Sequence, residues 1–220
     1  MLNVSRFARS MMTLTMPESA ATQLLSPDTF MPLIDQGWLS SARRVPSPNF
    51  NDRPADAAVR LIVLHNISLP PAQTEQDFAV DGTASYIEQF FQNRLNPDDH
   101  PYFQEIKDLK VSSHFLITRT GEVVQFVSCD ERAWHAGRSC YLGVAECNDY
   151  SIGIELEGAD HLPFTDAQYQ ALTPVIRAIQ TAYPETVGHL AGHSDIAPGR
   201  KTDPGVHLDW LRVRRALVSA

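Results

Sequence analysis

Leu61-Ile62-Val63-Leu64-His65-Asn66 is the stretch from which the fold can be read. Four consecutive apolar residues mark a strand buried on both faces, as happens where layers cover a sheet from two sides. Ser151 to Leu156 reads as a second such strand. Ser113 to Thr118 and Val123 to Val127 flank a turn at Thr120-Gly121 and read as a hairpin. Leu190-Ala191 is a further short strand. Three segments carry apolar residues at helical spacing. The first runs from Thr83 to Arg94 through Tyr86, Ile87, Phe90 and Phe91. The second starts at Thr165 and continues through Tyr169, Leu172, Val175, Ile176 and Ile179 to Tyr183. The third covers Asp209 to Val218. Strands mixed with helices, and one hairpin among them, predict an α/β fold: a single domain with a central mixed β-sheet flanked by helices.

The rest reads as connection. Residues 37–58 are proline-punctuated and extended. Residues 68–82 form a polar loop, and Asn96 to Pro101 ends the first helix. Residues 129–149 form a long loop containing Trp134, His135, Gly137 and Tyr141, and loops of that length in compact domains are usually functional. Residues 1–35, with Pro17, Pro27 and Pro32 and no sustained period, read as a poorly ordered N-terminal extension; the main domain is residues 36–220. The first residues include Arg6 and Arg9. The apolar stretch that follows is short and broken by threonines, Pro17 and Glu18, unlike a signal peptide. No run approaches the length needed to span a bilayer.

Bulk properties narrow the partners. The chain has 220 residues, 43% hydrophobic and 20% charged, with a formal net charge of −8 and a sequence pI near 5.4. A protein that tracks phosphates is normally basic, so nucleic acid is not expected. Cys129, Cys140 and Cys147 are too few and too irregular for a disulfide framework, which favours a reducing compartment.

Chemistry concentrates near the end of the chain, in Gly192-His193-Ser194-Asp195-Ile196-Ala197-Pro198-Gly199-Arg200-Lys201-Thr202-Asp203-Pro204-Gly205. Prolines and glycines make this a stiff, shaped loop. Taken singly, its residues have ordinary explanations. A histidine after a strand is commonly structural, an aspartate beside proline commonly caps a turn, and a lysine is commonly solvated. Taken together, His65, His193 and Asp203 supply two imidazoles and a carboxylate, a catalytic zinc set that leaves a fourth position for water. Glu155 shares a strand face with Gly153 and Glu157, opposite Ile152, Ile154 and Leu156. That face is either solvated, which suits Glu157, or turned to a cleft, where Glu155 would be a general base. Lys201 is either a surface cation or a stabiliser of charge developing on a carbonyl oxygen. His189 and His193 are four apart, but Pro184, Gly188 and Gly192 argue against a helical metal pair. Asp195 is expected to shape its own loop through side-chain-to-backbone bonds.

With these residues in view, the chain resembles the AmpD family of zinc-dependent N-acetylmuramyl-L-alanine amidases, which shares its fold with peptidoglycan-recognition proteins. The resemblance is carried by Gly37-Trp38-Leu39, Val63-Leu64-His65-Asn66-Ile67, His100-Pro101-Tyr102-Phe103, Arg132-Ala133-Trp134-His135-Ala136-Gly137, Asn148 to Gly158 and the stretch from Gly192 to Gly205. It implies an amidase/peptidoglycan-recognition-protein-like fold and makes residues 36–220 a zinc amidase domain. It implies Zn2+ on His65, His193 and Asp203, with Glu155 and Lys201 catalytic. Asn66, Trp134, His135 and Leu156 are implied substrate contacts. The implied reaction is hydrolysis of the amide between the lactyl group of 1,6-anhydro-N-acetylmuramic acid and L-alanine of the stem peptide. That is a cytoplasmic step of peptidoglycan recycling with an indirect effect on β-lactamase induction. The expected partner is a small molecule, the 1,6-anhydro-muropeptide, with no membrane and no nucleic acid, and the expected state is a monomer. The alternative is an exported amidase acting on intact murein.

Overall fold

A computed structural model describes residues 32–78 and 83–218. At its centre is a six-stranded mixed sheet. In chain order the strands are β1 (Arg43–Arg44), β2 (Leu61–Ile67), β3 (Phe115–Ile117), β4 (Val123–Gln125), β5 (Ser151–Glu157) and β6 (Leu190–Gly192). Across the sheet they stand in the order β6-β2-β5-β3-β4-β1. β3 and β4 pair antiparallel as a hairpin; the remaining neighbours run parallel. The helices are α1 (Thr83–Phe91), α2 (Pro101–Ile106), α3 (Asp166–Ala182), α4 (His193–Ile196) and α5 (Trp210–Val218).

The alternation of side chains divides the sheet into two unlike faces. On one, Ile62, Leu64, Phe115, Ile117, Ile152, Ile154 and Leu156 pack with Leu172, Val175, Ile176 and Ile179 of α3 and Val213 of α5. Each fully buried side chain of this kind contributes roughly 1.5–3 kcal/mol. α3 is anchored at its start. Thr165 caps it, with its hydroxyl accepting from Gln168 N and its own N–H donating to Gln168 Oε1. The Gln168 amide then donates to the carbonyls of Glu157 and Ile117, tying the helix to the ends of β5 and β3.

The second face has two apolar patches with a polar strip between them. Leu61, Val63 and Ala191 pack with Ala136, Cys147, Tyr150 and Ile196. Leu116 and Val124 pack with Ile87, Phe90 and Phe91 of α1 and Phe103 and Ile106 of α2. Ser151, Gly153 and Glu155 share this side, and Glu155 stands directly beside His65 in the parallel register.

Several expectations change in detail. His65 does not follow its strand; β2 continues through it to Ile67 because β5 offers ladder partners up to Glu157. The break at Asn96 to Pro101 is followed by α2, whose first residue is Pro101 and whose cap is the His100 ring accepting from Tyr102 N. The loop at 129–149 is not structureless. Arg132–Ala133 pairs with Phe50–Asn51, Cys140–Tyr141 pairs with Val144–Ala145, and a single 3₁₀ turn covers Cys147–Asp149. The stiff loop after β6 begins with a one-turn helix, α4, in which Asp195 accepts from Gly192 N. Of the N-terminal extension, residues 1–31 lie outside the described residues. Residues 34 and 35 are in place, paired antiparallel with Trp38–Leu39. Among the described residues no helix is long and apolar enough to cross a membrane.

Candidate active site

Three adjacent parallel strands deliver the central groups. His65 lies on β2, Glu155 is its neighbour on β5, and His193 follows β6, whose Gly192 is registered with Leu64. This is the carboxyl end of the parallel strands, where open α/β sheets bind ligands. A cleft of about 540 Å³ opens there and is lined by His65, Glu155, His193, Lys201 and Asp203 among others. A second hollow of about 580 Å³ lies between residues 52–59 and 182–185 and contains none of these groups.

His65 Nδ1, His193 Nδ1 and Asp203 Oδ2 form a nearly equilateral triangle with sides of 2.9, 3.0 and 3.0 Å. The chemistry of this set fits a cation. His193 Nε2 donates to the Ala136 carbonyl at 3.0 Å, which leaves Nδ1 as the ring nitrogen facing the triangle. Burial pushes the His65 imidazole down to about 4. Burial alone would raise the Asp203 carboxyl, but its contacts with His193 and His65 outweigh this and keep it ionised. Three donor atoms this close to one another need a positive charge among them, a proton or a metal ion. Two imidazoles and one carboxylate are also the donor set of an open catalytic zinc site.

Glu155 is 8% exposed, and its Oε2 has no hydrogen-bond partner. Burial raises its carboxyl well above the ordinary range, the charge of Asp203 adds to the rise, and Lys201 opposes it. Lys201 is exposed at the rim, and its charge also reaches His65. Glu157, two residues along the same face, contrasts with Glu155. It is not solvated as expected but 3% exposed, and it accepts the backbone N–H of Arg119.

Asn66 and Trp134 both line the cleft. Asn66 donates to Asp160 Oδ1 at 2.6 Å, and the Trp134 indole donates to Asn51 Oδ1 at 2.7 Å. His135 lies at the cleft floor, 9% exposed, with both ring nitrogens engaged by His65 and Ser151. Leu156 is a correction. Its side chain alternates to the opposite face and is 1% exposed within the α3 core, so it does not reach the cleft. His189 bonds Tyr141 OH at 3.2 Å, apart from the triangle. Two supporting residues went unassigned in the sequence. Arg200 Nη2 donates to the carbonyls of Ala136 and Arg138 at 2.6 and 2.7 Å, holding the segment that fixes His193. Asn148 Oδ1 accepts the N–H groups of His135 and Ala136. Both act on backbone, which leaves no pattern in side-chain spacing.

Residues 55–206 match the N-acetylmuramoyl-L-alanine amidase family, Amidase_2. The chain is 52% identical over 182 residues to the 1,6-anhydro-N-acetylmuramyl-L-alanine amidase AmpD of Escherichia coli K12, covering 83% of this chain and 95% of that one. Its fold is similar to the crystal structure of a selenomethionine AmpD derivative, with a TM-score of 0.78 at 51% identity, covering 84% of this chain and 99% of that one. It is also similar to the E. coli amidase AmiD solved with the substrate anhydro-N-acetylmuramic acid-L-Ala-D-γ-Glu-L-Lys. There the TM-score is 0.52 at 27% identity, with 84% of this chain and 65% of that one covered. The chain therefore belongs to the N-acetylmuramoyl-L-alanine amidases.

Proposed function

We propose that this amidase is a zinc enzyme of the cytoplasm. Its substrates are soluble 1,6-anhydro-muropeptides, it works as a monomer, and its loss raises inducible β-lactamase by leaving those muropeptides uncleaved. One observation carries the mechanism: an unpartnered, buried Glu155 carboxylate in register beside His65, at the edge of the three-donor triangle. His65, His193 and Asp203 would hold the metal. Zinc bound there supplies Lewis acidity, which activates water near neutral pH and polarises a carbonyl.

The chain's own residues do the rest. Glu155 Oε2 accepts the proton of the attacking water, and its raised affinity for protons suits that task. Lys201 Nζ stabilises the negative charge that develops on the lactyl carbonyl oxygen. Glu155 then returns the proton to the departing L-alanine nitrogen, and the amide C–N bond breaks. Asn66 and Trp134 contact the muropeptide. The similarity to an amidase solved with an anhydro-muramyl peptide supports that substrate class.

The test is mass spectrometry of products from soluble anhydro-muropeptide and, in parallel, from intact sacculi. Release of free stem peptide from the soluble substrate is the expected result. Activity confined to sacculi would overturn the assignment in favour of an enzyme of intact murein.

A further inference from the structure

Trp134 lines the cleft, and both ends of this residue are held. At the main chain, Trp134 N donates to Ser112 Oγ at 3.0 Å and its carbonyl accepts Ser112 N at 3.2 Å. Ser112 is 1% exposed, and its hydroxyl donates to the Asn49 carbonyl at 2.6 Å. At the far end, the indole Nε1–H donates to Asn51 Oδ1 at 2.7 Å.

Asn51 is exposed, yet its neighbours leave its amide a single orientation. The indole nitrogen can only donate. So can the Arg132 guanidinium, whose Nη1 lies 3.2 Å from the same Asn51 oxygen. On the other side, Asn51 Nδ2 donates to the Asp52 carbonyl at 2.8 Å, which can only accept. Turning the amide over would set donor against donor on one side and acceptor against acceptor on the other. Arg132 is itself anchored, its Nε donating to Asp149 Oδ1 at 2.5 Å.

The sequence builds this arrangement into two short strands. Asn51 stands directly opposite Arg132 in the antiparallel pairing of Phe50–Asn51 with Arg132–Ala133. Trp134 is two residues beyond Arg132, a spacing that brings both side chains to the side from which Asn51 projects.

We propose that Asn51 is a positioning residue for the substrate: with Arg132 as its anchor, it locks the plane of the Trp134 indole before the muropeptide arrives. The consequence for binding rests on the reading of Trp134 as a muropeptide contact; the lock itself does not. An aromatic wall already fixed removes the ordering that binding would otherwise impose, an effect of about 2- to 10-fold in affinity for one side chain. The Asn51 side chain bonds Trp134, Arg132 and Asp52 and none of the groups placed in the chemistry, so its loss belongs in KM and not in kcat.

The experiment has two readouts on the purified, zinc-loaded full chain. The first is KM and kcat on soluble anhydro-muropeptide, taken separately, with zinc content measured on the same samples. The second is 15N NMR of the tryptophan indoles without substrate. The chain has three tryptophans, and the Trp134 signal is the one lost in Trp134→Phe. The lock requires that signal to show a high order parameter and slow exchange with water. Asn51→Ala is expected to loosen the indole and raise KM about 2- to 10-fold, with kcat and zinc content at parent values. Asn51→Asp keeps an acceptor for both donors and is expected to restore both readouts. An indole as ordered in Asn51→Ala as in the parent overturns the proposal. So does an Asn51→Ala in which kcat, zinc content and melting temperature fall together. A loosened indole with the parent KM overturns it too, where Trp134→Ala does raise KM. Should Trp134→Ala leave KM unchanged, the reading of Trp134 fails, and the indole signal alone upholds or overturns the lock. Should Asn51→Ala not fold, the parent indole decides: protection from water upholds the lock, and exchange as fast as that of a free indole overturns it.

Discussion

Ile154 and Glu155 are neighbours on β5 and look in opposite directions. Ile154 is fully buried in the apolar layer between the sheet and α3. Glu155 is nearly as buried, yet its Oε2 lacks a partner and its carboxyl is pushed towards the protonated form. One face of the sheet is built to lower the free energy of the fold. The other, between its own two apolar patches, holds groups whose burial raises it, and the packed core makes that tolerable. The difference separates two kinds of damage: substitutions on the site face should remove function before stability, and those on the α3 face should do the reverse.

The largest effect belongs to the triangle. His193→Ala removes one of three donors, so metal content by plasma mass spectrometry and turnover of anhydro-muropeptide should fall to background together. The apo fold should persist by circular dichroism, since α4 is a single turn at the edge of the core. Retained turnover without metal would break the assignment of this face.

Glu155→Gln comes next. It should keep the metal and lower turnover by about 10²–10⁴, the range for general acid–base catalysis. It also carries a signed pH prediction for metal-free protein. The folded carboxyl binds protons more readily than the unfolded one, so its favourable contribution is present below the unfolded value and is lost as pH rises through the folded value. At neutral pH the parent therefore bears the cost that burial places on its ionised form. Chemical denaturation should find Glu155→Gln more stable than the parent at pH 7, with the gap closing as pH approaches 4.

Ile154→Ala tests the opposite face. Removing a fully buried isoleucine between sheet and helix should cost about 2–5 kcal/mol in urea denaturation. Turnover per folded molecule should stay near that of the parent. A large loss of turnover with little loss of stability would erase the division between the faces.

The same division explains how much could be read in advance. The α3 face was legible because periodic burial leaves periodic sequence: Leu172, Val175, Ile176 and Ile179 recur at helical spacing, and Ile62 to Leu64 is continuous because both sides of β2 are covered. The triangle was legible through residue chemistry and resemblance, since imidazoles and carboxylates announce their role. What stayed hidden has no such pattern. α2 buries only Phe103 and Ile106 in six residues, too few to define a period. α4 is one turn made by loop residues. Leu156 matched a family stretch, but strand alternation sends its side chain to the core. His135 carried the right chemistry for a substrate contact. Only the positions of Ser151 and Gly153, two strand residues apart, reveal that it faces inward to His65.

The smallest effect is at the start of α3, where the apolar face meets solvent. Thr165 satisfies Gln168 N, and its hydroxyl also donates to the Arg119 carbonyl at 2.7 Å. Thr165→Ala removes both bonds and should cost about 1 kcal/mol, the usual value of a helix N-cap. Gln168 still bonds the Glu157 and Ile117 carbonyls in that variant, so the helix should stay docked on β5. If docking alone positions β5, the Glu155 carboxylate does not move, and kcat and KM should match the parent despite the lower midpoint in urea. A drop in kcat larger than the loss of folded protein would mean that the cap transmits strain along β5 to Glu155, and that the two faces are mechanically coupled through the strand they share.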